Sequence, residues 1–141
     1  MSALQLGLAF IFSFIVCQLA DWVFAGVLFH GKYQAAPEIW RPRFQGKGET
    51  VGIIISSIFT AISVIAIELL LVAARAQSYT DALVYGVAIW FAAALPLIAS
   101  NAVFIRVHPL NASSHAVGWL VKLVATAVIT VFFAHRAFLA R

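Results

Sequence analysis

Apolar residues run through this chain in four long blocks, at 4–29, 51–74, 82–105 and 113–135, broken by short polar stretches. Each block holds 23–26 residues, and a helix needs about 20 to cross a 30 Å hydrocarbon core. Backbone amides inside lipid must be satisfied within their own element, so blocks this uniformly apolar predict helices. The polar breaks at 75–81 and 106–112 are short and make consecutive helices antiparallel neighbours. The expected fold is all-α, an integral membrane four-helix antiparallel bundle forming a single transmembrane domain over 1–141. The long loop, 30–50, carries Lys32, Glu38, Arg41, Arg43, Lys47 and Glu49. Within it Tyr33, Trp40, Arg41 and Arg43, with Phe44, read as interfacial anchors at headgroup depth.

The first block reads as a retained span. It has no positive n-region and is far longer than the ~7–15 residues of a cleavable h-region. Phe14-Ile15-Val16-Cys17 is a poor lipoprotein signal, because Val16 stands where a small residue is wanted.

Composition agrees with the pattern. The chain is 64% hydrophobic and 10% charged, whereas soluble domains average about 25% charged residues. Net charge is +4, but the basic residues are dispersed and form no nucleic-acid patch; they suit contact with anionic lipid headgroups. The expected partners are the lipid bilayer and a second copy or another membrane protein, with no nucleic acid. One cysteine, Cys17, excludes an intramolecular disulfide and a CxxC pair. Loops 1–2 and 3–4 carry five Lys/Arg (Lys32, Arg41, Arg43, Lys47, Arg106), and the other side carries three (Arg75, Arg136, Arg141). The positive-inside rule then puts the long loop in the cytoplasm and both termini outside, in a plasma (bacterial inner) membrane. On that side Asn111-Ala112-Ser113 is a chance glycosylation sequon.

Three charges interrupt the apolar blocks: Asp21, Glu68 and Lys122. A charge at mid-bilayer costs about 2.5–3.5 kcal/mol on insertion scales, so such residues are usually paired or functional. At a rise of 1.5 Å per residue, Asp21 lies about 12 Å and Lys122 about 13 Å from the same face. Matched depth and opposite charge predict a pair. Asn101, about 6 Å from that face, and Gln18, one turn from Asp21, complete an expected buried polar cluster of Gln18, Asp21, Asn101 and Lys122. Glu68 is a second polar site about 9 Å from the opposite face. It is either helped by a snorkelling Arg75 or protonated.

Two polar stripes accompany these charges. His115, Trp119, Lys122, Thr126 and Thr130 follow one face of the fourth helix, and Ser56, Thr60 and Ser63 one face of the second. Gly86, Ala93, Ala94 and Ser100 allow close approach of the third helix. In membranes such faces chiefly pack helices together. Pro96 frees a backbone carbonyl and predicts a kink one turn before Asn101. His30, His108 and His115 fall at one membrane surface and His135 at the other. Interfacial anchoring competes there with metal binding, and no pair has the i, i+3 or i+4 spacing of a helical ligand site, so no metal is expected. The chain has no Gly-rich phosphate loop, GxSxG, HExxH or CxxC. Neither a cofactor nor a catalytic residue is expected.

Particular landmarks carry a family resemblance. Trp22-Val-Phe-Ala-Gly-Val-Leu-Phe-His-Gly-Lys32 followed by Trp40-Arg41, Gly86 with Ile89-Trp90-Phe91, Leu95-Pro96, Asn101 to Phe104, and Gly118-Trp119-Leu120-Val121 occur in order over most of the chain. The sequence resembles the small membrane proteins called domain of unknown function 1761. It departs from them in carrying Asp21-Trp22 where a Trp-Tyr type pair is expected, and in a longer loop. The resemblance implies a four-helix integral membrane protein and assigns no catalytic role.

Three functions fit. The first is a non-enzymatic bundle that self-associates or joins a larger membrane complex, with Asp21–Lys122 as an internal pair. The second is an oligomeric small-solute or ion pathway lined by Asp21, Asn101 and Lys122. The third is a membrane enzyme acting on a lipid or isoprenoid, with Asp21 or Glu68 as acid/base.

Overall fold

The computed structural model describes residues 1–35, 41–44, 46–105 and 107–139. Helix α1 (Ala3–Asp21) starts on a capping box in which Ser2 and Gln5 satisfy each other's backbone amides, and it continues as a π-helical segment, Trp22–Leu28. A short α2 (His30–Gln34) and two 3₁₀ turns, Pro42–Phe44 and Gly46–Gly48, lead into α3 (Glu49–Ala73). Helix α4 (Tyr79–Ile89) passes through a second π segment, Trp90–Ala94, into α5 (Leu95–Phe104), and α6 runs over Pro109–Leu139. Four stretches, Ala3–Leu28, Gly46–Ala73, Tyr79–Phe104 and Pro109–His135, are long and apolar enough to cross a membrane. The fold is the expected all-α bundle of a membrane protein.

Helix boundaries follow local chemistry more than hydropathy. Pro109, with its missing N–H and fixed φ, suits a first helical position, and α6 begins there, four residues before the apolar block. His108 Nδ1 accepts the Leu110 amide at 3.2 Å in that first turn. Polar Asn111 therefore belongs to the helix and not to the connection. At α4, Ser78 and Asp81 form a second capping box, and the helix starts at Tyr79. Helix α3 ends in a Schellman turn: Arg75 N–H donates to Val72 O at 3.1 Å and Ala76 N–H to Leu71 O at 3.0 Å. Arg75 occupies the left-handed position, φ 54°, where glycine is the usual residue.

Helix α6 is the centre of the bundle. It packs against α1, α3, α4 and α5, and 44% of its apolar window is buried, against 11–22% for the other three spans. The core joins Ile67 and Leu71 of α3, Ala76 and Ala82 around the α4 start, and Leu123, Ala127 and Val131 of α6. Helix α4 packs tightly on α6 at Gly86, where a Cβ would lie 3.0 Å from Val124 Cα. Leu, Ile and Phe on the remaining faces point outward, the arrangement expected of helices facing lipid.

In the third span the irregular turn sits ahead of Pro96. Leu95 N–H reaches back five residues to Trp90 O, so the π segment absorbs the ladder interruption that proline imposes. The other π segment follows Asp21 directly, with Phe29 N–H bonded to Phe24 O at 3.0 Å.

Candidate functional site

Antiparallel packing of α1 on α6 sets Asp21 opposite Lys122, and Lys122 Nζ donates to Asp21 Oδ1 at 2.8 Å. The two ends of the pair differ. The Lys122 side chain is 8% exposed and the Asp21 side chain 41%. The ammonium also lies 4.1 Å from the centroid of the Trp119 ring, whose π face attracts a cation. Two turns of α6 before Lys122, His115 Nε2 and the Tyr33 hydroxyl are hydrogen-bonded at 2.8 Å. A cavity of about 40 Å³ lies between these groups, lined by Asp21, Phe24, Tyr33, Ser114, His115 and Lys122, among others. Its floor is shaped by Gly118, where a Cβ would sit 3.7 Å from the Phe24 ring.

The sequence-predicted cluster is thus only partly assembled. Asp21 and Lys122 meet. Gln18 instead donates through Nε2 to Ser57 Oγ at 2.5 Å, tying α1 to α3. Asn101 is exposed on α5 and takes no part in the pair. Matched depth was insufficient for Asn101, because the face of a helix, and not its depth alone, decides what a side chain meets.

Tyr33, read from the sequence as an interfacial anchor, is 8% exposed. Helix α2 folds it inward against His115, with the rings edge-to-face at 5.7 Å. Burial pushes its phenol above the ordinary value of 10.0. Arg41 and Arg43 are exposed; the Arg43 guanidinium lies 4.7 Å over the Phe44 ring, and that ring packs near Gly52. Trp40 lies outside the described residues.

Three of the histidines have separate partners. His115 bonds Tyr33, His108 caps α6, and His135 packs 6.0 Å from the Tyr79 ring. Among the described residues, no three His, Cys, Asp or Glu side chains come together in a way that would hold a metal ion.

A polar seam, not visible as a unit in the sequence, extends from the ion pair. Cys17 Sγ lies 3.6 Å from Thr126 Oγ1 and 3.9 Å from Lys122 O. Asp21–Lys122 and Cys17–Thr126 share one register, four residues apart on each helix. Continued by another turn, that register sets Ser13 opposite Thr130, and both are buried. Thr130 Oγ1 donates to Thr126 O at 2.7 Å, whereas Ser13 Oγ is buried with no hydrogen-bond partner among the described residues. The α6 half of this seam is the Lys122, Thr126, Thr130 stripe. Its α1 half, Ser13, Cys17 and Asp21, has the same i, i+4 spacing, and that was the available signal.

Glu68 is 4% exposed in α3. Its Oε1 is buried with no partner among the described residues. Arg75 is held in the left-handed turn closing α3 and forms no ion pair with it.

The family described as protein of unknown function (DUF1761) matches residues 8–131 of the chain. No curated protein and no solved structure matches it.

Proposed function

The chain belongs to the DUF1761 family, and on that premise we propose that it is a non-enzymatic membrane bundle that works within an assembly, formed with itself or with another membrane protein. The observation carrying this reading is how completely Lys122 is satisfied inside the chain. Asp21 holds its ammonium at 2.8 Å and the Trp119 ring covers it. A lysine so engaged fastens α1 to α6 and is poorly placed to engage a substrate. The outer helices support the second half of the proposal. Spans one, two and three keep only 17%, 22% and 11% of their apolar windows buried, leaving long faces for lipid or neighbouring helices.

The solute-pathway alternative loses support with Asn101 turned outward, and the cavity of about 40 Å³ is water-sized. Of the two carboxylates open to the lipid-enzyme alternative, Asp21 is engaged by Lys122 and Glu68 is 4% exposed. The five-to-three bias of Lys and Arg supports a cytoplasmic 30–50 loop in a plasma (inner) membrane.

Native mass spectrometry of the protein in nanodiscs, with cross-linking in the membrane that expresses it, tests the proposal. A dimer, a larger oligomer or a defined hetero-complex is expected. A monomer in both experiments would overturn it.

A further inference from the structure

The third span keeps the smallest share of its apolar window inside the chain, 11%, and none of the residues of α5 is buried. Helix α5 packs on α6, and its half-buried residues are Leu95, Ile98 and Ala102. Leu97, Ser100, Asn101 and Phe104 are exposed. Their i, i+3, i+4, i+7 spacing puts them on one face of the helix. Leu97 is 64% exposed and Phe104 85%.

Asn101 is the residue on this face that lipid cannot satisfy. A hydroxyl in an apolar helix can bond a carbonyl of its own preceding turn, as Ser63 Oγ does to Phe59 O at 2.9 Å. A carboxamide brings two donors and an acceptor oxygen, and that of Asn101 has no hydrogen-bond partner among the described residues. Val103, Phe104 and Ile105 follow it, apolar and exposed, so Asn101 lies inside the apolar zone and not at its polar edge. An amide unsatisfied in hydrocarbon is costly, and asparagine side chains in membranes hydrogen-bond across helices.

Symmetry decides what can satisfy it. Two copies inserted in the same direction are related by a two-fold axis along the membrane normal, and a two-fold contact uses the same patch on both. Their α5 helices then run parallel, and Asn101 of one copy meets Asn101 of the other at equal depth. A carboxamide is its own electrostatic complement, because the N–H of one faces the C=O of the other. Ser100 beside it is small enough for two helices to approach closely. Leu97 and Phe104, about one turn to either side, supply the apolar contact.

Resting on the reading of the chain as part of an assembly, we propose that this face of α5 is the contact surface for a second copy of the chain. The two Asn101 side chains are hydrogen-bonded to each other across the two-fold axis.

Energy transfer between donor- and acceptor-labelled copies, diluted stepwise in phospholipid vesicles, gives the dissociation constant. Asn101→Leu is expected to raise that constant about tenfold, the equivalent of one interhelical hydrogen bond, with helical content unchanged. Asn101→Gln is expected to keep most of the affinity. Oxidative cross-linking locates the contact, and Cys17 does not compete because it is buried. Phe104→Cys is expected to form a disulfide-linked dimer, whereas Phe59→Cys, 62% exposed on α3 in the unmodified protein, is not. Copies that associate with the same constant after Asn101→Leu, or that cross-link through position 59 and not 104, overturn the inference while the assembly stands. A complex with another protein but no energy transfer between copies also overturns the inference alone. The absence of any association overturns both.

Discussion

Lys122 and Asp21 form a 2.8 Å ion pair whose two ends stand in unequal surroundings, 8% exposed for the lysine and 41% for the aspartate. Removing one partner of a buried pair costs about 3–5 kcal/mol, because it strands the other charge. Here that cost depends on which charge is left. Asp21→Asn strands a buried ammonium and is expected to destabilise by roughly 3 kcal/mol. Lys122→Met leaves a carboxylate that water can reach and adds an apolar side chain of similar length, so a loss of about 1 kcal/mol is expected. Reversible unfolding in mixed micelles should rank the two variants in that order.

Close packing at Gly86 gives a second expectation. A Cβ there would lie 3.0 Å from Val124 Cα and 3.2 Å from Val124 Cγ2, so α4 and α6 must move apart to admit it. Gly86→Ala is expected to cost about 1–3 kcal/mol, the usual range for overpacking. Gly7 has nothing within 4 Å of the equivalent position, and Gly7→Ala should leave the thermal midpoint unchanged or raise it.

The end of α3 should respond in the opposite sense. Arg75 has φ 54°, and a left-handed conformation costs a residue with a Cβ roughly 1–2 kcal/mol. Arg75→Gly removes that strain while keeping the Schellman hydrogen bonds. A stabilisation of about 1 kcal/mol is expected, reduced slightly by the greater freedom of glycine in the unfolded chain.

Tyr33 gives a pH-dependent signature. Because burial holds its phenol above 10.0, the folded state binds that proton more tightly than the unfolded state does. The associated stability is complete below pH 10.0 and is lost as pH rises through the folded-state value. Ultraviolet titration of phenolate should show a component ionising above that value, and Tyr33→Phe should abolish it. The same variant removes the hydroxyl bonded to His115 and should cost about 1 kcal/mol near neutral pH.

Much of the architecture was legible because lipid makes a blunt demand: a span must be long, apolar and helical. The Asp21–Lys122 contact was legible for a related reason, since two opposite charges at equal depth have few other solutions. Asn101 shows the limit of depth alone. It lies at a usable level but on a face of α5 turned away from the pair, and single-sequence hydropathy says little about rotation when all faces are apolar. The contact of Tyr33 with His115 was not legible, because an aromatic residue in a basic loop reads as an anchor and only the path of α2 shows what its ring meets. The helix starts at Tyr79 and Pro109 fall ahead of the apolar blocks because polar caps and first turns carry no hydropathy signal. The contacts of Cys17 and the placement of Ser13 are not legible in the sequence, because a small residue in an apolar helix carries no sign of its neighbour until the register across α6 is known.

A double-mutant cycle on residues 21 and 122, measured by reversible unfolding in bicelles, tests the internal pairing most directly. Its corners are the unmodified protein, Asp21→Lys, Lys122→Asp and the two together. The pairing of α1 with α6 predicts that each single change is strongly destabilising and that the exchanged pair recovers at least half of the combined loss, a coupling of about 1–3 kcal/mol. Losses that simply add, leaving the exchanged pair no better than the sum of its parts, would contradict it.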